Sequence, residues 1–174
     1  MSVVHVCPLS CLPDVVEQCE ASHLVSLISD GTPVQRPACI APDRHLVLSM
    51  HDIVEPMLGM VPPSEQHVHS FIDFARRWDR GRPMVVHCWA GISRSTAAAY
   101  IASCALAPER DEEELALDLR AASPTATPNG RLVAIADEIL GRGGRMRSAA
   151  RRIGRGAFAY EGVPFSLSIG SGQP

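Results

Sequence analysis

The sequence predicts an α/β fold with a central, mainly parallel sheet of four to five strands, flanked by helices and extended by a C-terminal helical layer. Three observations predict it. Short β-branched runs alternate with helix-period segments over roughly the first hundred residues. From Ser95 onward, helical patterns follow one another. The chain has 174 residues, 46% of them hydrophobic, enough for one apolar core without staples.

Each element has a local reason. Val3–Val6 is a β-branched run and reads as the first strand. Pro13 to Ser22 reads as a short helix, with proline near its first turn. Leu24–Ile28 is a second strand, closed by Asp30-Gly31. The Pro-rich passage from Gly31 to Pro42 reads as loop or edge strand, and His45–Ser49 as a further strand. A loop from His51 to Pro63 carries three prolines and one glycine. Ser64 then suits an N-cap. Val68, Phe71, Ile72, Ala75 and Trp78 form one apolar helical stripe, which Gly81-Arg82-Pro83 ends. Met84-Val85-Val86 is a short buried strand, and Ser95 to Ala105 an Ala-rich helix. Asp111 with Glu114 has the capping-box spacing of a helix running to Ala122. Asn129 caps another helix, with Leu132, Val133, Ala136, Ile139 and Leu140 inward, and Gly141 to Gly144 breaks it. A short basic helix is expected near Met146 to Ile153, and the last twenty residues are expected to pack loosely.

Composition excludes several classes. No apolar run approaches the roughly 18–20 residues of a membrane helix, and the start from Met1 to His5 lacks the features of a secretory signal. The 6 cysteines, at positions 7, 11, 19, 39, 88 and 104, form no Cys-x-x-Cys pair. A reduced, cytoplasmic protein is therefore expected. All 16 basic residues are arginine, unevenly spread: residues 1–141 hold 10 against 18 acids, residues 142–174 hold 6 against one. A basic segment can touch nucleic acid or anionic lipid, but a solvated helix face explains it as well. Neither a nucleic acid nor a membrane is expected as a partner.

The chemistry concentrates in His87-Cys88-Trp89-Ala90-Gly91-Ile92-Ser93-Arg94-Ser95, between a predicted strand and a predicted helix. Such a junction can wrap its backbone N–H groups around an anion, and the helix N-terminus adds partial positive charge. Gly91 permits the backbone angles that such a nest needs. The spacing of Cys88 and Arg94 lets sulfur and guanidinium face one bound oxyanion, which the planar Arg fork suits. The same positive surroundings favour a thiolate nucleophile. A bare Cys-x5-Arg is expected about half a time by chance in this composition. Requiring His before Cys, Gly at the third position and Ser or Thr after Arg lowers that to roughly 2 in 10,000.

With these residues the sequence resembles the Cys-dependent protein tyrosine phosphatases, and its size is similar to their compact dual-specificity branch. The resemblance spans roughly residues 20–140. It implies a phosphotyrosine protein phosphatase-like fold, a phosphocysteine intermediate, no metal and no organic cofactor. The implied substrate is a phosphorylated protein: phosphotyrosine, with phosphoserine and phosphothreonine left open. It also implies a single catalytic domain over residues 1–155, followed by a Gly/Ser-rich tail at 156–174. Cys88 is the implied nucleophile. The phosphate would be held by Arg94 and the amides of Trp89, Ala90, Gly91, Ile92 and Ser93. Ser95 would hydrogen-bond the departing sulfur, and His87 would orient the loop. A leaving oxygen needs a proton, and in this family an upstream Asp supplies it. Asp52 is the first choice, 36 residues before Cys88 on a loop that leaves a strand. Glu55 is its main rival, and Asp43 and Asp73 are weaker candidates.

The segment from Ser123 to Asn129 resembles the one in which an Asn orders the active-site surroundings, but a helix cap explains Asn129 as well, so it stays outside the expected site. The uncharged Trp89, Ala90, Ile92 and Ser93 disfavour a phosphoinositide headgroup. Cys104 could form a reversible disulfide with Cys88, although a small buried thiol is the ordinary reading. Two other classes remain open: a rhodanese-like sulfurtransferase, and an inactive module that only holds phosphorylated partners.

Overall fold

The computed structural model describes residues 2–170. The strands are β1 (Ser2–Pro8), β2 (His23–Ile28), β3 (His45–Ser49), β4 (Met84–Cys88) and β5 (Phe165–Ile169). The helices are α1 (Leu12–Gln18), α2 (Glu65–Arg77), α3 (Arg94–Leu106), α4 (Glu112–Ala122), α5 (Gly130–Ile139) and α6 (Arg145–Ile153). The sheet order is β3-β2-β4-β1-β5. β1, β2, β3 and β4 are mutually parallel, and β5 adds antiparallel to β1. The α/β architecture, the mainly parallel sheet and the C-terminal helical layer are as the sequence predicts.

A parallel sheet must be covered on both faces, and the alternation of each strand meets that demand. Val4, Val6, Met84, Val86 and Cys88 point into the larger apolar cluster, with α2 to α6. Cys7, Leu24 and Val85 point the other way, where α1 supplies Leu12 and Val16. Along α2 the predicted stripe is buried from Val68 to Trp78, whose indole N–H donates to the Arg82 carbonyl at 2.9 Å. Ser64 caps α2 by accepting from the His67 N–H at 3.4 Å, while the His67 ring accepts from the Ser64 N–H at 3.2 Å. The Asp111 carboxylate caps α4 through the amides of Glu113 and Glu114.

Two expectations are corrected. α1 begins at Leu12 and ends at Gln18, short of Ser22. Of the two readings of Gly31 to Pro42, loop or edge strand, the structure has the loop. Residues 165–169, placed in a loosely packed tail, form β5, with Leu167 and Ile169 buried. Phe165-Ser-Leu-Ser-Ile169 alternates apolar and polar, and β1 offers the free edge that it fills. The last four residues of the expected tail lie outside the described residues.

The arginine-rich segment is docked by acids. Glu112 is buried and pairs with Arg142 at 2.8 Å and Arg145 at 3.1 Å. The buried Asp137 carboxylate accepts from the amides of Gly144 (2.6 Å), Met146 (2.7 Å) and Arg147 (3.3 Å), so it caps α6 from α5. Removing that carboxylate strands three N–H groups. Asp137→Ala is expected to cost about 2 kcal/mol in urea unfolding and to release α6 first, as faster amide exchange at residues 144–150.

Candidate active site

Four parallel strands end on one edge of the sheet, and each brings something to the turn between β4 and α3. Cys88 closes β4 and is buried, 2% exposed. Its sulfur receives the Gly91 N–H at 3.3 Å and lies 3.1 Å from the Ser95 hydroxyl. The turn curls back over its own first residue.

The carbonyl oxygens of this turn explain its shape. Trp89 O accepts from the Leu9 N–H at 3.1 Å, Ala90 O from the Gly162 N–H at 2.8 Å, and Ile92 O from the Thr127 N–H at 2.9 Å. Ser93 O accepts from the amides of Ala97 (3.0 Å) and Asn129 (3.2 Å). The Thr96 hydroxyl also donates to Ile92 O and Ser93 O. A trans peptide points its N–H opposite its C=O. Oxygens held from outside therefore turn the amides of Ala90, Gly91, Ser93 and Arg94 away from those partners, and the Gly91 amide meets the sulfur. Gly91 is buried with φ +69°, and a Cβ there would lie 2.6 Å from the Pro8 nitrogen. Only glycine fits both the angle and the space.

Arg94 opens α3 and is 6% exposed. One terminal nitrogen, Nη1, donates to the Met50 carbonyl at 2.7 Å and to the Ser29 hydroxyl at 3.3 Å, so β2 and β3 aim the guanidinium. Its Nε is buried without a hydrogen-bond partner. Among the described residues no other buried side-chain polar atom is left so.

Asp52 follows β3 and is exposed. Its Oδ1 accepts from the Ser93 hydroxyl at 2.7 Å and from the Asn129 amide at 2.8 Å. Asn129 also donates to the Ile53 carbonyl at 3.3 Å, while its own oxygen caps α5 through the amides of Arg131 and Leu132. One side chain thus serves as cap and as brace for Asp52, a second role that the cap pattern conceals. Glu55 lies further along the same loop, against α5 and α6. Asp43 sits in the turn before β3, and Asp73 on the exposed face of α2.

His87 is fully buried. Its Nε2 lies 2.6 Å from the Ser26 hydroxyl, which contacts His45 Nε2 at 2.9 Å, and its Nδ1 lies 3.3 Å from the Cys88 carbonyl. Burial pushes His87 down to about 4, so it stays neutral at ordinary pH. Trp89 stands exposed at the rim, and Ala90, Ile92 and Ser93 are half-buried. Cys104 is buried, and burial pushes it up to about 12. It lies nine residues beyond Ser95 on α3, about 14 Å along the axis, too far for a disulfide to Cys88.

The arrangement gathers a sulfur, a set of converging amides, an anchored guanidinium and a braced carboxylate at one sheet edge. It suits in-line transfer of a phosphoryl group to sulfur. The protein-tyrosine phosphatase family matches residues 56–122, a span that includes the turn. No curated protein sequence matches the chain. Among solved structures, DUSP15 aligns with TM-score 0.65 at 18% identity, over 88% of this chain and 91% of its own. Human DUSP28 aligns with TM-score 0.62 at 15% identity, over 80% and 92%. The PTP-2 phosphatase of Cydia pomonella aligns with TM-score 0.60 at 19% identity, over 78% and 84%. At such identities the likeness is one of fold.

Two outcomes test the geometry. Gly91→Ala is expected to cost at least ~1 kcal/mol in urea unfolding, from the positive φ and the clash with Pro8. The second concerns His87. An unfolded chain takes up a proton on this ring near pH 6.5, which the native state refuses until about pH 4. Stability should therefore fall as pH drops through that window, by up to ~1.4 kcal/mol per unit from this group. Urea midpoints at pH 7, 5.5 and 4.5 should show a shallower decline in His87→Gln.

Over residues 56–122 the chain is thus similar to the protein-tyrosine phosphatase family, and its fold is similar to those of compact dual-specificity phosphatases.

Proposed function

We propose that the protein hydrolyses phosphate monoesters on tyrosine of phosphorylated proteins, with serine and threonine esters as further substrates, through a phosphocysteine on Cys88. The observation that carries this reading is the turn from Cys88 to Arg94, whose oxygens are held from outside and whose Gly91 amide meets the Cys88 sulfur, together with a buried Arg94 Nε that has no partner. An anion bound there would satisfy a buried donor that otherwise has no acceptor.

In this mechanism the Cys88 thiolate attacks phosphorus opposite the ester oxygen. The loop amides and Arg94 hold the equatorial oxygens, where charge sits in the transition state. As the P–O bond breaks, Asp52 gives its proton to the leaving oxygen. Oδ1 is occupied by Ser93 and Asn129, which leaves Oδ2 to carry that proton. A water then loses a proton to Asp52 and attacks phosphorus. The S–P bond breaks, and the Ser95 hydroxyl donates to the departing thiolate at the contact already formed. His87 orients the Cys88 carbonyl and takes no proton.

The test is hydrolysis of para-nitrophenyl phosphate with EDTA present. Wild type is expected to turn over. Cys88→Ser should be inactive, and Asp52→Asn should lose roughly 100-fold or more in kcat. An unchanged Asn variant would move the acid role to Glu55. Turnover of thiosulfate in place of the phosphate ester would overturn the reading in favour of a sulfurtransferase.

A further inference from the structure

α6 sorts its arginines by helical position. Met146 and Ala149 point inward. Arg145 and Arg152, seven apart, lie toward α4 and pair with Glu112 and Glu113. Arg147 and Arg151, four apart, share a different face. They are exposed, and among the described residues no carboxylate lies within ion-pair distance of either. Half of the 6 arginines in the basic segment, including Arg142, are therefore neutralised by the fold, and these two are not.

Arg147 and Arg151 border a cavity of about 380 Å³ between α6, α5 and the loop that follows β3. Its walls carry Val54 and Glu55 from that loop, Pro128 and Gly130 on either side of Asn129, and Arg131. The Arg131 guanidinium donates to the carbonyls of Pro63 (2.7 Å) and Val54 (3.3 Å), so it fixes this wall. The cavity thus shares a wall with the brace on Asp52. Glu55 is its one carboxylate, against three guanidiniums.

We propose that this groove is a second recognition site, which takes acidic residues flanking the phosphorylated residue of a polypeptide substrate. The inference rests on the phosphatase reading. An extended substrate seated at Cys88 and passing Asp52 runs toward the wall that Pro128 and Gly130, the neighbours of the Asn129 that braces Asp52, share with the groove. Two unpaired guanidiniums converging on a concave, partly apolar wall suit carboxylates on a chain. A membrane surface would instead call for cations spread on a convex face.

The test compares three phosphotyrosine peptides of equal length, with neutral flanks, glutamates before the phosphotyrosine, or glutamates after it. At low salt one acidic peptide is expected to exceed the neutral one about tenfold in kcat/KM, mostly through KM, and the gap should shrink as salt rises. Arg147→Gln/Arg151→Gln should abolish the gap and leave para-nitrophenyl phosphate hydrolysis within about twofold. Arg152→Gln, on the other face, should keep it. No gap in wild type, or a gap that survives the double variant, would overturn the proposal. So would equal losses on the aryl phosphate. If the double variant instead loses binding to phosphatidylserine vesicles and keeps peptide discrimination, the face serves a membrane and the proposal fails. Absence of any aryl phosphate turnover would sink the phosphatase reading by itself. Binding of a fluorescent Glu-rich peptide, measured with wild type and the double variant, would still decide the groove.

Discussion

The outward anchoring of four peptide oxygens is the constraint on which the site depends. An isolated turn of this length has no reason to aim its amides at its own first side chain, since its donors would rather meet water. Here Trp89, Ala90, Ile92 and Ser93 find their oxygens held by Leu9, Gly162, Thr127, Asn129 and α3 itself. The amides are left facing away from those anchors, and that of Gly91 meets the Cys88 sulfur. Those anchors come from widely separated parts of the chain, so the bowl exists only once the whole fold has closed. The C-terminal stretch before β5 takes part through Gly162, which ties this strand to the site as well as to the sheet edge.

The parallel sheet supplies the other half. Because β1 to β4 run the same way, their carboxyl ends meet on one edge. β1 ends in the Pro8 that presses on Gly91, β2 leads to Ser29, β3 to Met50 and Asp52, and β4 to Cys88. Arg94 is held by the ends of β2 and β3 through Ser29 and Met50, so its guanidinium is already ordered. The buried chain of His87, Ser26 and His45 stiffens β4 from behind. Its neutral His87 keeps the back of the site free of titration at ordinary pH.

Charge is partitioned by the same logic. Glu112 and Asp137 lie buried and spend themselves on docking α6, one through guanidiniums and one through amides. Two of the arginines left over, Arg147 and Arg151, line a cavity with Val54 and Glu55 of the Asp52 loop.

Much of this was legible in the chain itself. The alternation of strands and helices, the caps at Ser64, Asp111 and Asn129, and the tight motif from His87 to Ser95 are local facts. Periodicity and side-chain chemistry act over a few residues, and the sequence displays those directly. Asp52 was a candidate because it follows a readable strand, and the structure places it against Ser93 and Asn129. The fifth strand was hidden, because five alternating residues among glycines and serines become a strand only against the free edge of β1. The double role of Asn129, the hold of Met50 on Arg94 and the division of the α6 arginines were hidden for one reason: each joins residues dozens of positions apart. What the sequence determined was which elements form and which reactive groups the turn from His87 to Ser95 carries. What tertiary structure alone decided was the direction in which backbone and side chains point, because contacts between distant segments fix direction.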